Sequence, residues 1–314
     1  MAGGSRTAIL AALTANLGLS AAKFVGWSLT GAASMLAEAV HSLADSTNQL
    51  LLLWGGAAAA RAPTPSHPFG HGRERYFWSF VVAVVIFTLG GLFAGYEGIE
   101  KLLHPQPVRS PGVAMAILVF GIGLEGWSLR TAIREARPLK AGRSWWRFIR
   151  GAKQPELPVV LLEDLAALVG LFLALTGVTI AAWTGDGVWD AVGSIAIAVL
   201  LITIATILAI EMKSLLIGEA VSAEDAEAIR DAMQSVDAFQ RLIHMRTQHL
   251  GPDQILVGAK VQFARELDFA GVTDAIDEIE AAIRARIPTV TVIYIEPDVY
   301  EAPRGGPPQD SGEQ

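Results

Sequence analysis

Two of the most apolar stretches of the chain contain residues able to bind a metal ion. His41 and Asp45 lie four residues apart in one stretch, so on a helix they project about 40° apart, one turn along the axis. Glu163 and Asp164 are adjacent in another stretch, and helix geometry separates their directions by about 100°. Imidazole nitrogen and carboxylate oxygen together suit a borderline cation such as Zn²⁺. The alternative is that His41 and Asp45 only hydrogen-bond each other and join two helices.

The stretches that carry these residues are long enough to cross a bilayer, which takes about 20 mostly apolar residues. Charged residues make up 18% of the chain and the mean hydropathy is +0.42. The hydropathy pattern predicts six spans, at 7–29, 34–60, 76–98, 112–129, 157–183 and 187–210. An ionised group at membrane depth costs about 2.5–3.5 kcal/mol, so each one needs a partner or a function. Lys23, the lysine within the first span, is expected to reach the membrane surface with its long side chain.

Basic residues follow the second and fourth predicted spans, at Arg61, Arg73, Arg75, Arg137, Lys140, Arg143, Arg147, Arg150 and Lys153. The other side of the membrane carries only Lys101 and Arg109 in its loops. By the positive-inside rule both termini are cytoplasmic. We therefore expect a multi-pass integral protein of a bacterial inner membrane.

Composition excludes several other classes of protein. The chain contains no cysteine, which excludes a disulfide framework, a thiolate zinc finger and an iron–sulfur cluster. A net charge of −7 argues against a nucleic-acid partner, since phosphate binding needs clustered cations. Neither a phosphate-binding G-x-x-x-x-G-K-[ST] loop nor an H-E-x-x-H motif occurs, so no organic cofactor and no enzymatic activity are expected.

A small soluble domain is predicted after the last span. A capping pattern at Ser222 and Asp225 precedes a helix, strand-like runs follow at 241–248 and 255–263, a second helix covers 272–286, and a last strand covers 290–295. This αββαβ order predicts helices on one face of a small sheet. The expected organisation is an all-α six-helix transmembrane domain at 1–213, a cytoplasmic α+β domain at 214–301 and a disordered tail at 302–314.

The run Ala37-Glu38-Ala39-Val40-His41-Ser42-Leu43-Ala44-Asp45 resembles the second-helix H-x-x-x-D signature of the cation diffusion facilitator family of metal/proton antiporters. The loop His67-Pro68-Phe69-Gly70-His71-Gly72-Arg73-Glu74 is similar to that family's H-P-F-G-H-G-[KR]-x-E loop. The resemblance covers about 9–297 and implies six spans, a ferredoxin-like cytoplasmic domain and a homodimer.

The fifth span departs from the family pattern, which repeats H-x-x-x-D there. If Asp164 matches the aspartate, the histidine position is Val160. The Glu163–Asp164 pair resembles a branch related to mitochondrial zinc exporters. The resemblance thus implies a metal site of His41, Asp45 and Asp164, completed by Glu163 or by water.

Several other residues are candidates for weaker roles. Glu38, Asn48 and Asn16 are candidates for supporting the metal ligands or lining the ion pathway, and no motif assigns a role to Glu125. His67 and His71 form a candidate weak cytoplasmic metal site, although the acidic residue expected three positions earlier is Thr64. In the cytoplasmic domain only His244 and Glu296 match the family's metal ligands, so dimerisation is the expected role of this domain.

These features predict Zn²⁺/H⁺ antiport by alternating access, with Zn²⁺ and protons as substrates. Replacement of a ligand histidine by Val160 keeps Fe²⁺, Co²⁺, Mn²⁺ and Cd²⁺ open as substrates. A membrane sensor or scaffold that binds metal without transporting it is the alternative.

Overall fold

The computed structural model describes residues 4–140 and 142–300, and the chain divides into two compact units between Ile217 and Gly218. The first unit is helical and the second contains helices and a sheet. The predicted disordered tail at 302–314 lies outside the described residues.

The helical unit consists of long apolar helices joined by short loops. Its helices are α1 (Gly4–Thr30), α2 (Ala33–Ala59), α3 (Glu74–Val85), α4 (Phe93–Leu103), α5 (Pro111–Lys140), α6 (Trp145–Gly151), α7 (Glu156–Thr184) and α8 (Val188–Ile217). α3 and α4 belong to one continuous helix, interrupted by a π-helical segment at Ile86–Leu92.

Four helices in the described part of the chain are long and apolar enough to cross a membrane: Glu74–Leu103, Pro111–Pro138, Glu156–Thr184 and Val188–Ile217. They correspond to the third to sixth predicted spans. α2 has 27 residues, a sufficient length, but its mean hydropathy is reduced by the polar side chains that include the candidate metal ligands.

The π-helical segment allows close packing at Gly90 and Gly91. A Cβ atom on Gly91 would lie 2.6 Å from Cγ1 of Ile202 in α8, and one on Gly90 would lie 2.9 Å from Cδ1 of Leu201. The two glycines therefore permit this segment to pack directly against α8. π-helical turns inside α-helices occur frequently at functional sites.

α6 is a short helix that the hydrophobic pattern did not predict. Ser144 caps it by accepting a hydrogen bond from the Arg147 backbone N–H at 3.2 Å. Phe148 is buried in a cluster with Ala132 and Ala136 of α5 and Leu161 of α7. This single apolar anchor fixes α6 between the ends of two long helices.

The second unit has the predicted αββαβ order: α9 (Ala223–Gln234), β1 (Phe239–Gly251), β2 (Gln254–Phe263), α10 (Phe269–Arg286) and β3 (Val290–Pro297). β2 is the central strand, antiparallel to β1 and parallel to β3. Alternate residues of β2 are buried, because one face of the sheet packs with the apolar sides of α9 and α10. The predicted cap is confirmed, since Ser222 Oγ accepts from the Asp225 backbone N–H at 3.0 Å.

Candidate functional site

The candidate ligands of α2 lie on the side of the helix that faces the bundle. α2 packs against α1, α3, α7 and α8. The exposed fraction is 1% for His41, 7% for Asp45 and 0% for Asn48. These polar side chains are therefore withdrawn from both lipid and water, and each needs a polar partner.

The imidazole of His41 lies beside Asp45 without a satisfactory hydrogen bond. His41 Nδ1 is 3.4 Å from Asp45 Oδ1, longer than the usual N–H···O range. Both ring nitrogens of His41, Oδ1 of Asp45 and Oδ1 of Asn48 are buried without a hydrogen-bond partner among the described residues. Native proteins rarely leave such groups unsatisfied, so these atoms are available to coordinate a ligand.

Glu163 of α7 lies beside the polar side chains of α2. Its Oε1 accepts a hydrogen bond of 2.9 Å from Nδ2 of Asn48, and its carboxyl group lies close to Asp45. Asp164 takes a different direction, as the separation of adjacent helical residues requires. Its Oδ2 accepts a 2.9 Å hydrogen bond from Ser128 Oγ of α5.

The structure thus brings His41, Asp45, Asn48 and Glu163 together and leaves Asp164 on the α5 side of α7. Among the described side chains, no three histidine or acidic groups converge closely enough, as they stand, to hold a metal ion.

The expectation for Lys23 was wrong. Its side chain is fully buried, and Nζ lies 3.1 Å from Glu38 Oε2 and 2.6 Å from Ser42 Oγ. In the interior of the bundle, the carboxylate of Glu38 and the hydroxyl of Ser42 supply the polar partners that the buried ammonium group needs. Glu38, named as a candidate pathway residue, is therefore an ion-pair partner in this structure.

Two features near the site were not assigned to it from the sequence. Glu125 of α5 lies near Asp45, Glu163 and Asp164. The π-helical segment approaches the site from the other side, since a Cβ on Gly90 would lie 3.9 Å from His41 Nδ1. The Gly90-Gly91 pair was the one available clue to this close approach.

The remaining candidates lie apart from this group. Asn16 is half-buried in α1, and no hydrogen bond joins it to the α2 candidates within the described residues. His67 and His71 lie together in the α2–α3 loop, with ring centroids 4.6 Å apart. His67 is exposed, and its Nδ1 lies 3.2 Å from Ser66 Oγ.

In the second unit, Glu296 is paired with Lys260. Lys260 Nζ lies 2.9 Å from Glu296 Oε1 and 3.0 Å from Asp298 Oδ2, and Lys260 pairs with His244 across β1 and β2. The hydrogen bond from Lys260 lowers the pKa of Asp298, and the hydrogen bond to Glu296 raises the pKa of Lys260. An ammonium group therefore occupies the space between the carboxylates at this position.

The fold and the buried polar site define a helical membrane protein with an attached α/β domain. Residues 9–217 match the model described as the cation efflux transmembrane domain, and residues 221–298 match that of the cation efflux protein cytoplasmic domain. The chain belongs to the cation diffusion facilitator family, which consists of transporters and not of enzymes.

Several curated proteins resemble the chain over most of its length. The proton-coupled zinc antiporter SLC30A9, mitochondrial, is 35% identical in Xenopus laevis and 33% identical in Homo sapiens, over 251 residues in each case. These alignments cover 79% of this chain but 44% and 43% of the relatives, so the chain spans less than half of their length. Zinc transporter ZitB of Escherichia coli is 28% identical, over 79% of this chain and 74% of that protein.

Proposed function

We propose that the protein exports divalent metal ions, with Zn²⁺ as the main substrate, in exchange for protons. The observation that carries this proposal is the buried His41 ring, both of whose nitrogens lack a partner beside unsatisfied oxygens of Asp45 and Asn48. Nitrogen and oxygen donors in this combination suit Zn²⁺. The relatives described as zinc transporters and proton-coupled zinc antiporters support the same substrates.

The proposed coordinating residues are His41, Asp45 and Glu163, with Asp164 joining them when α7 rotates. Asn48 orients Glu163 through its 2.9 Å hydrogen bond. Imidazole and carboxylate must be deprotonated to bind a metal ion, so protons and metal compete for the same atoms. If the site opens alternately to the two sides of the membrane, this competition couples the two fluxes. Fe²⁺, Co²⁺, Mn²⁺ and Cd²⁺ offer the same charge and are alternative substrates for a site with a single histidine.

The proposed topology has six spans, with α1 and α2 crossing the membrane beside the four apolar helices. α8 leads into the unit that matches a cytoplasmic domain, so the end of α8 faces the cytoplasm. Arg150 Nε lies 3.0 Å from Glu211 Oε1, and Arg75 Nε lies 2.6 Å from Glu156 Oε1. These ion pairs support a cytoplasmic position for both basic loops, and an even number of spans then leaves both termini in the cytoplasm.

The match of residues 221–298 to a domain model named for dimerisation supports a homodimer. A bacterial inner membrane remains the predicted location, with the basic loops on its cytoplasmic side. Lys260 fills the space beside Glu296. We therefore infer that the cytoplasmic domain assembles without a metal ion at this position.

Flux measurements in proteoliposomes test the transport function. Vesicles that enclose a zinc-sensitive and a pH-sensitive dye should report zinc and proton movement in opposite directions for the wild-type protein. His41→Ala should reduce both signals more than about tenfold, because it removes the nitrogen ligand. Glu156→Gln, a matched loss of one α7 carboxylate outside the site, should retain both signals.

Zinc binding without flux in the wild-type protein would contradict transport and favour a sensor. Zinc flux without a proton signal would contradict antiport. Wild-type flux in His41→Ala would contradict the site.

A further inference from the structure

The end of α5, the turn after it and α6 form a strongly basic segment, here called the basic segment (134–153). It contains seven basic residues and one acidic residue: Arg134, Arg137, Lys140, Arg143, Arg147, Arg150 and Lys153, against Glu135. The apolar span that precedes it ends at Pro138. Arg134 and Arg137 lie in the last turns of that helix and the other cations follow it, so we place the basic segment where the hydrocarbon gives way to the lipid headgroups.

We propose that the basic segment is a binding site for the phosphate headgroups of anionic phospholipids. This inference is independent of the transported ion, since none of the candidate metal ligands lies in the segment. It follows from three observations, namely the unpaired arginines, the exposed tryptophans and the way in which α6 is anchored.

The first observation concerns charge. Arg134, Arg137 and Arg147 are exposed, and among the described residues no carboxylate forms an ion pair with any of them. Arg150 differs, because Glu211 binds it at 3.0 Å. Arginine presents a planar fork of donors that matches phosphate geometry, so these free guanidinium groups are suited to headgroup phosphates.

The second observation concerns the tryptophans beside these cations. Trp145 is 38% exposed and Trp146 is 52% exposed, at the start of α6. Lys140 Nζ lies 5.4 Å from the ring centroid of Trp145, and the Arg150 guanidinium carbon lies 5.9 Å from that of Trp146. Indole rings favour the membrane–water interface, with the apolar body toward the acyl chains and the N–H toward the headgroups. An aromatic pair next to exposed cations therefore indicates a lipid surface and not a soluble anion.

The third observation concerns the orientation of α6. Phe148 is buried at 5% exposure against α5 and α7. Trp145 packs edge-on against it, with ring centroids 6.2 Å apart, while Trp146 and Arg147 are exposed on the rest of the helix surface. The Arg150–Glu211 ion pair also holds α6 close to the end of α8. The positive-inside rule would be met by cations anywhere in this loop. A capped and anchored helix with exposed tryptophans is a more specific arrangement, as expected for a surface that binds lipid.

Quenching by brominated lipids tests this proposal on the full-length protein. Wild-type protein and Trp145→Phe/Trp146→Phe are reconstituted in phosphatidylcholine vesicles that contain an equal fraction of brominated phosphatidylglycerol or brominated phosphatidylcholine. The difference between the two proteins isolates the quenching of Trp145 and Trp146. We expect stronger quenching by the anionic lipid, and loss of this excess at high salt.

Charge variants provide the second arm. Arg137→Gln/Arg147→Gln should lower the enrichment of anionic lipid about fivefold for each arginine removed. Arg230→Gln/Arg265→Gln removes the same charge from the second unit and should leave the excess quenching unchanged.

Equal quenching by the two brominated lipids would overturn the proposal, as would an excess that persists at high salt. The salt titration needs only the wild-type protein and Trp145→Phe/Trp146→Phe, so it decides the question even if the charge variant fails to fold.

Discussion

Asp190 of α8 connects Lys101 of α4 to the first turn of α2. Lys101 Nζ lies 2.8 Å from Asp190 Oδ2, and the same carboxylate accepts backbone N–H bonds from Ala33 at 2.7 Å and Ser34 at 3.3 Å. α2 has no side-chain cap from its own neighbourhood. Asp190 supplies that cap from 156 residues away, and its negative charge also complements the dipole of the helix that carries His41 and Asp45.

Replacement of Asp190 by alanine should destabilise the membrane unit by about 3–5 kcal/mol, because it leaves the Lys101 ammonium buried without a counter-charge. Asp190→Asn keeps an acceptor for the backbone of α2, and Lys101→Met/Asp190→Asn also removes the stranded charge, so the double variant should recover much of the loss. Thermal unfolding in detergent measures the series. Equal stability of Asp190→Ala and the wild-type protein would contradict this role.

The buried ion pair of Lys23 and Glu38 allows a related test, a double-mutant cycle of unfolding free energies. Lys23→Met leaves Glu38 buried without its cation and should lower the unfolding free energy by about 3–5 kcal/mol. Lys23→Met/Glu38→Gln removes both charges and should recover most of the lost stability, because no unpaired charge is then buried. Unfolding free energies of Lys23→Met, Glu38→Gln and the double variant give the coupling energy between the two side chains directly. Additive losses would show that the 3.1 Å contact contributes no interaction energy.

The sequence was sufficient to predict elements whose signals are local. The αββαβ order followed from alternating apolar residues and a capping pattern at Ser222, and four long apolar helices matched predicted spans. The i,i+4 spacing of His41 and Asp45 placed both side chains on one side of α2. Each of these inferences depends on residues within one or two turns of each other.

Contacts between distant helices could not be predicted in this way. Which of Glu163 and Asp164 faces α2 depends on the rotation of α7, and neighbouring residues in a uniformly apolar helix give no amphipathic stripe to fix it. The Lys101–Asp190 pair joins residues 89 positions apart. α6 escaped prediction because seven residues with one buried side chain, Phe148, are too few for a helical period.

Asn48 is expected to act on the candidate site by positioning Glu163. Asn48→Ala removes the 2.9 Å hydrogen bond to the carboxylate, and loss of an outer-shell partner of a metal ligand costs about 10–100-fold in affinity. Zinc transport by this variant should show a raised KM with a smaller change in the maximal rate. Asn48→Asp, which replaces the donor with a second carboxylate, should fail to rescue the KM. An unchanged KM in Asn48→Ala would contradict the positioning role.

The ion pairs of Lys260 predict a pH response in the second unit. The pKa of Asp298 is lowered mainly by its hydrogen bond from Lys260, so the stabilisation is present above the ordinary aspartate value of about 3.9 and is lost as the pH falls through the lowered pKa. Lys260→Met should return the pKa of Asp298 toward that value, as measured by NMR titration of the side-chain carboxyl. Arg284→Met, which removes a cation paired with Glu280 instead, should leave it unchanged. A pKa of Asp298 that does not respond to the loss of Lys260 would contradict the assignment.

The division of roles between Glu163 and Asp164 gives the most direct test of the site. Glu163 is buried and bound to Asn48, whereas Asp164 accepts from Ser128 of α5. Because only the Glu163 carboxyl lies beside Asp45, Glu163→Gln should weaken zinc binding in the resting protein more than Asp164→Asn does. If α7 rotates during transport, Asp164→Asn should still reduce the rate of zinc flux.

Equilibrium zinc binding and flux, measured on the same preparations, separate these two effects. Ser128→Ala is the matched control, since it frees Asp164 without changing any charge. We expect near-normal zinc binding in this variant and an unchanged or faster flux, because the carboxylate no longer has a competing partner on α5. Zinc binding that depends on Asp164 and not on Glu163 would reverse the assignment and show that the metal-binding conformation differs from this one by a rotation of α7.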